Sequence, residues 1–573
     1  MPTAFLRAIG HSIFTLQLLP VSAAMGQGPS TPTDEQRQQM EGSIDELHAS
    51  LSDEQFEIRC PITRNKWLLP EVLKQNITAE RVQACTSYRD SICDEFEAED
   101  IVTNAKRVFA ILILCYYDRS IIEELLLREG LTDRDLPLEK APNTSSLISP
   151  TSGKEFKAFG KFGKFGKLAK EFLECQWRVS SPVFDEPYNS QPAESHIRTL
   201  SVNCPLPLRN KEHLTNTQTS SVSKCELHPA HYPLANENAN HVPVAVKEIF
   251  GKDADDMFKK EIDTLLKMRQ FNNPHLIKHI AACRAESDPP IRCIIFPFAS
   301  GGDLCAYWDS GDTQPRTAEL VQWSLQQMHG LATAVHDLHG GFPDDPRSNV
   351  RHGDLKPQNI LIFEDPGEEK RLVIADVGIA KVHMGPTAVR TQKATGTFAT
   401  TRSYEAPEAH PDTKKRDERR SRTYDVWSLG CIFLEFTIWL LFNVRAVNDF
   451  AAHRPKIWTG YDGPGGFYEI SPEGIPSVCK EVQRALADLL DDDRCGEDTA
   501  LGQLVRLISR KMLVAEVAGR CDAEKLVESL KCILDGSRDK GKDYFLRPSG
   551  RRVVTPEMFC PVRRGSSSNS ITK

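Results

Sequence analysis

A series of chemically able side chains, spread along the sequence in a fixed order, constrains this chain more than any bulk property. "VPVAVK" reads as a strand ending on Lys247, and Glu261 follows fourteen residues later in "DMFKKEIDTLLKM". In that second stretch Phe258, Ile262 and Leu265 make one face of a helix, with Glu261 beside it, so a lysine and a helix glutamate can pair. Further on, "RHGDLKPQN" supplies Asp354, Lys356 and Asn359, and Asp376 stands in "ADVGIAK" 22 residues after Asp354. "YEAPE" ends at Glu408, "YDVWSLGC" contains Asp425 and "VAGRCDA" supplies Arg520. Any one of these reads best as an ordinary surface or core charge. Their joint occurrence in this order reverses that reading.

Length then divides the chain. At 573 residues it exceeds what a single core holds, since cores stop growing near ~250 to 300 residues. Residues 1–44 read as a flexible arm, whose apolar run "IFTLQLLPV" after Arg7 loosely resembles a secretory signal, although Gln17 and Pro20 weaken it. Residues 45–140 carry apolar residues at helical spacing and are expected to form a small helical domain, with Gly130 as a stop. Prolines, serines and an asparagine make 141–205 a linker and bridging segment, which includes the Phe-Gly-Lys repeat of "KAFGKFGKFGK", read as a flexible surface stretch. Residues 206–537 pass from strand-like to long helical patterns, and 538–573 read as a basic, disordered tail.

Composition excludes several function classes. With 40% hydrophobic and 26% charged residues this is ordinary globular material, and a net charge of -8 argues against a nucleic-acid footprint. Sixteen cysteines contain no C-x-x-C pair, so no zinc or thioredoxin spacing is present, and they read as reduced core residues. The longest apolar run outside the N-terminus, "LGCIFLEFTIWLLF", is too short to span a bilayer, contains Glu435, and suits a buried helix.

Over residues 206–537 these motifs resemble the eukaryotic protein kinase family, and "EFLECQWRVSSPVF" and "RHGDLKP" are similar to kinase-like proteins of filamentous fungi. The resemblance implies an α+β, bilobal kinase-like domain, with a small β-rich lobe and a large α-rich lobe, preceded by the small helical domain. It implies ATP and Mg2+ as cofactors. Lys247, held by Glu261, is implied to meet the α and β phosphates, and Asn359 and Asp376 to hold the metal ions. Asp354 is implied as catalytic base and Lys356 as a γ-phosphate partner of the serine/threonine type. Phe296 is implied to guard the rear of an adenine pocket, with Pro297 to Ala299 connecting the lobes, so Val222, Phe298 and Ala299 are expected around the nucleotide. Glu408 and Arg520 are implied as a buried, structural ion pair.

The sequence also departs from the family. Aligning Val222 places Thr215, Thr217 and Ser220 where three glycines are usual, and no glycine occurs between Gly166 and Gly251. If those sites need left-handed geometry, each costs ~1 to 3 kcal/mol. Gly353 stands where an arginine is usual, weakening any dependence on a phosphorylated loop at Thr395, Thr397 or Thr400, and Val377 replaces an aromatic. Two functions follow as expectations: phosphoryl transfer to serine or threonine hydroxyls of a protein substrate, or a pseudokinase scaffold without turnover. Transfer to a small-molecule alcohol fits less well, because "YEAPE" and Thr401 resemble a protein-substrate platform. A docking partner for the helical domain and a cytoplasmic location are further expectations.

Overall fold

In a computed structural model, residues 34–548 are described apart from 54–56, 87–94, 116, 118, 143, 145, 162–164, 185–195, 235–239, 341–348, 365–366, 368, 377–380, 384–401, 414–421, 459–462 and 537–540. The possible signal, Val377, the activation-loop threonines including Thr401, and most of the basic tail lie outside the described residues. The chain divides into two compact units, one of residues 1–57 and 68–180, the other of 58–67 and 181–573.

The first unit is built around the helix Lys106–Leu114, "KRVFAILIL", whose residues from Val108 to Leu114 are all buried. A helix apolar on every side belongs at a centre, and the helices Asp34–Ser52, Pro70–Asn76, Glu95–Asn104 and Phe165–Cys175 pack against it. Gly130 takes a left-handed φ of 60° just past the last helical turn, as its position as a stop requires. The unit runs to Ser180, so much of the expected linker is folded. Strands Glu139–Lys140, Leu147–Ile148 and Glu155–Phe156 form a three-stranded antiparallel sheet. The Gln176 side chain both accepts from Leu138 N (2.8 Å) and donates to Leu138 O (3.0 Å). At the start of the Phe-Gly-Lys repeat, Phe159 is buried with its ring edge-on to Phe172 at 5.0 Å, so this end of the repeat is packed rather than a surface stretch, while residues 162–164 lie outside the described residues. Two-residue strands are too short to show alternation, and their turn residues mimic linker composition.

The second unit opens with a six-stranded sheet: β1 (Ile197–Thr199), β2 (Leu208–Asn216), β3 (Ser220–Leu227), β4 (Val242–Ile249), β5 (Ala281–Ala285) and β6 (Ile291–Pro297), in the order β1-β5-β6-β4-β3-β2. All neighbours are antiparallel except β1 on β5, where Ala282 faces Ile197. Because β1 lies before residue 206, the folded sheet begins upstream of the expected boundary. Helix α1 (Ala254–Arg269) follows β4 and buries Phe258, Ile262, Leu265 and Met268.

The helical remainder is organised by α2 (Ala318–Gly340) and α3 (Thr423–Leu441). Helix α3 is long and apolar enough to cross a membrane, yet all its residues from Tyr424 onward are buried within the protein core. Its Glu435 is neutralised there by Arg454 at 2.7 Å and accepts from the Tyr404 hydroxyl at 2.7 Å. The resulting architecture, a β-rich part followed by an α-rich part, is the α+β bilobal arrangement expected.

Candidate active site

Strand register delivers the first cation. Val222 on β3 lies directly opposite Lys247 on β4, and Lys224 opposite Ala245, so these four side chains share one face of the sheet. On the same strands Cys225, Val244 and Val246 point the other way and are buried. The Lys247 ammonium donates to Glu261 Oε1 at 2.7 Å and to Asp376 Oδ1 at 3.2 Å. Burial opposes the charged lysine, but attraction to Glu261 and Asp376 outweighs it and holds its pKa above the ordinary value. The same lysine holds the Asp376 carboxyl below its usual range.

A hairpin brings the metal-type ligands together. Strands Ile360–Phe363 and Arg371–Ile374 pair antiparallel with Ile360 opposite Ile374, so Asn359 enters the hairpin where Ala375 and Asp376 leave it. Ala375 N donates to Asn359 O at 2.9 Å. Asp376 adopts a left-handed φ of 57°, a conformation costing a non-glycine residue ~1 to 3 kcal/mol and found where a site holds it. Its carboxylate is about half exposed to the cleft.

The loop that carries Asp354 is pinned from α3. Asp425, fully buried on α3, accepts from His352 N and Gly353 N, both at 2.9 Å, and meets His339 Nε2 at 2.9 Å. Burial would raise its pKa, but the His339 hydrogen bond and charge outweigh burial and keep it low. Gly353 takes a φ of 75°, suited to glycine, and an added Cβ there would sit 3.5 Å from the Arg351 guanidinium. With the loop so fixed, Asp354 Oδ2 accepts from Lys356 Nζ and from Asn359 Nδ2, each at 3.1 Å. Asp354 Oδ1 is buried and has no hydrogen-bond partner among the described residues. A buried carboxylate oxygen left unpaired is costly, so this atom stands out as an unused acceptor.

The glycine-free loop resolves into a hairpin turn. No residue from Thr215 to Val222 has a left-handed φ, so the feared strain is absent. Thr217 and Ser220 close a two-residue turn in which Thr217 Oγ1 accepts from Ser220 N at 2.9 Å and Thr219 N at 3.3 Å. These amide donors are turned inward onto the threonine hydroxyl.

At the lobe connection Phe298 is tied to the sheet. Its N–H donates to Pro243 O at 3.3 Å, and its ring lies under the Lys224 ammonium at 4.7 Å. Its backbone donor is therefore used by the sheet, and Ala299, the next residue, is buried. Phe296 pairs with Ala245 across β6 and β4, and Glu408 and Arg520 form a bidentate pair at 2.9 and 3.1 Å. Sequence reasoning missed Ala245, Lys224 and the roles of His339 and Asp425. The two-residue alternation from Lys247 back to Ala245 was the available signal for the first.

A protein kinase domain model matches residues 232–457, a span holding Lys247, Glu261, Asp354, Lys356, Asn359, Asp376 and Asp425. The chain is similar to the serine/threonine-protein kinase cds1 of Schizosaccharomyces pombe, 31% identical over 193 residues, 32% of this chain and 34% of that protein. It is also similar to the calcium/calmodulin-dependent protein kinase cmkA of Emericella nidulans, 29% identical over 193 residues, 33% of this chain and 39% of that one. With the probable serine/threonine-protein kinase irlC of Dictyostelium discoideum it shares 24% over 199 residues, 34% of this chain and 12% of the relative. The chain thus spans between about an eighth and two fifths of these relatives' lengths. Ordered motifs, a lysine bridging two carboxylates and the domain match together show that residues 232–457 of this chain belong to a protein kinase domain, similar to those of serine/threonine kinases.

Proposed function

We propose that the second unit transfers the γ-phosphate of ATP to serine or threonine hydroxyls of a protein substrate with the aid of Mg2+. The observation that carries this reading is the Lys247 ammonium bridging Glu261 and Asp376, beside an Asp354 oxygen with no partner among the described residues.

The donor set suits a hard cation, which prefers oxygen ligands and takes the rest of its shell from phosphates and water. Asn359 commits its Nδ2 to Asp354, so the oxygen of the amide is the end left for a cation, and Asp376 offers a half-exposed carboxylate. Held by Asn359 and Asp376, magnesium would supply positive charge against the charge that develops on the transferring phosphoryl group.

The chain's own residues divide the remaining work. Lys247 binds the α and β phosphates, and Glu261 keeps it aimed. Asp354 Oδ1 accepts the proton of the substrate hydroxyl, a role worth ~10² to 10⁴ in rate. Lys356, two residues on, offsets charge on the transferring group. Val222 and Ala299 bound the adenine side of the cleft. This reading calls for a compartment supplied with ATP, taken here as the cytoplasm, and leaves the helical unit as the docking surface for a further partner.

A second reading, a scaffold that binds nucleotide weakly and turns none over, is favoured by one observation: Thr217 absorbs the loop amides that would face phosphate. Incubating the full chain with labelled ATP, magnesium and a generic basic protein, beside Lys247→Met, tests the proposal. Label on serine or threonine that disappears in the variant supports the enzyme. Equal background in both supports the scaffold.

A further inference from the structure

The helical unit carries a chemistry-bearing pair that phosphoryl transfer does not use. Cys115 caps the C-terminus of helix Lys106–Leu114 and Cys175 ends helix Phe165–Cys175, so stretches sixty residues apart deliver two thiols to one place. The Cys115 and Cys175 side chains hydrogen-bond to each other, and Arg178 Nη1 approaches Cys175 Sγ to 3.8 Å. Both thiols line a cavity of about 370 Å³ with Leu114, Glu171, Glu174 and Arg178. Both are partly exposed, whereas most of the other described cysteines are buried.

The surroundings divide the labour between the two sulfurs. The hydrogen bond from Cys115 draws the Cys175 thiol down to about 7; burial opposes this, and Arg178 reinforces it. The same hydrogen bond, with burial and the nearby Glu171, pushes Cys115 up, so it keeps its proton while Cys175 ionises. Glu57, paired with Arg178, Tyr117, and His48 beside Leu114 and Arg178 are further titratable groups around them. A thiolate beside a guanidinium, with a second thiol in reach, has the parts of a nucleophile and its resolving partner. Cys283 and Cys293 also face each other, across β5 and β6, but are fully buried and out of reach of a reagent.

We propose that Cys115 and Cys175 form a reversible dithiol–disulfide pair, oxidised by a low-molecular-weight disulfide such as glutathione disulfide that enters the cavity they line. The Cys175 thiolate attacks one sulfur of the reagent, forming a mixed disulfide and expelling one glutathione thiolate, which takes up a proton. Cys115 then loses its proton and attacks Cys175 Sγ, breaking the mixed disulfide and expelling the second glutathione thiolate, which takes up that proton. Two protein thiols are oxidised and one reagent disulfide is reduced to two thiols. The product staples the C-terminal ends of two helices in the unit.

Peptide mapping of the full chain without reductant, after treatment with glutathione disulfide, tests the pair. The expected result is a linked Cys115–Cys175 peptide that dithiothreitol removes, with Cys283 and Cys293 still thiols. Cys115→Ser should instead retain a glutathione adduct on Cys175. In untreated protein at pH 7, Cys175 should alkylate about threefold faster than exposed Cys532, the thiolate gain being partly offset by lower nucleophilicity. Absence of the linked peptide, whether Cys175 stays free or holds an adduct that Cys115 never displaces in the native chain, overturns the proposal.

Discussion

Lys247 and Asp376, 129 residues apart, meet at 3.2 Å while the same ammonium lies 2.7 Å from Glu261. One cation therefore fastens the sheet, helix α1 and the hairpin that ends at Asp376. The three residues act as one device, and weakening any of them should be felt at the phosphates.

Glu261→Gln removes the charged acceptor but keeps the shape. A hydrogen bond to a charged group contributes ~1.5 to 3 kcal/mol, so kcat/KM for ATP is expected to fall roughly 10- to 100-fold. Steady-state kinetics check this, with the melting temperature as a control for folding. An unchanged kcat/KM would mean that Asp376 alone positions the lysine.

Thr217→Gly tests the capped turn. Removing Thr217 Oγ1 releases the amides of Thr219 and Ser220 for phosphate, and about 1 kcal/mol of recovered hydrogen bonding tightens ATP binding about 3- to 10-fold. Calorimetric titration measures it. Weaker or equal binding would show that the hydroxyl itself serves the nucleotide.

Arg520→Met addresses the brace of the helical part. Arg520 and Glu408 have 0% and 2% side-chain exposure, so removing the cation strands a buried carboxylate. The expected loss is ~3 to 5 kcal/mol of unfolding free energy, read from the urea midpoint.

His279 predicts an acid response. Burial, helped by Arg269, pushes its pKa down to about 3, and its ring meets the edge of Phe296. Between pH 6.5 and 3 the unfolded chain takes up a proton that the folded chain refuses, so stability is present above pH 6.5 and declines as pH falls. His279→Leu should flatten that decline relative to the native chain in melting curves taken across this window.

Side chains whose type and spacing carry the chemistry were legible in the sequence. Lys247, Glu261, Asp354, Asn359 and Asp376 were named from motifs, and the structure gathers them into one cleft. The α+β, bilobal architecture followed from the same order. What escaped was pairing over distance and side chain against backbone. Strand β1 is three residues long, and its partner Ala282 lies more than eighty residues away, so no local pattern marks it. Phe298 could be placed at the hinge, but not the direction of its N–H. Three missing glycines suggested strain, whereas a threonine hydroxyl closing a two-residue turn needs no left-handed residue at all.

The most direct test measures transfer of labelled γ-phosphate to a basic protein by the native chain and by Asp354→Asn, with magnesium present and absent. The account predicts magnesium-dependent transfer that drops ~10² to 10⁴-fold in the variant while its melting temperature holds. Equal transfer by both proteins, or ATP binding by the native chain with no transfer above background, would contradict it.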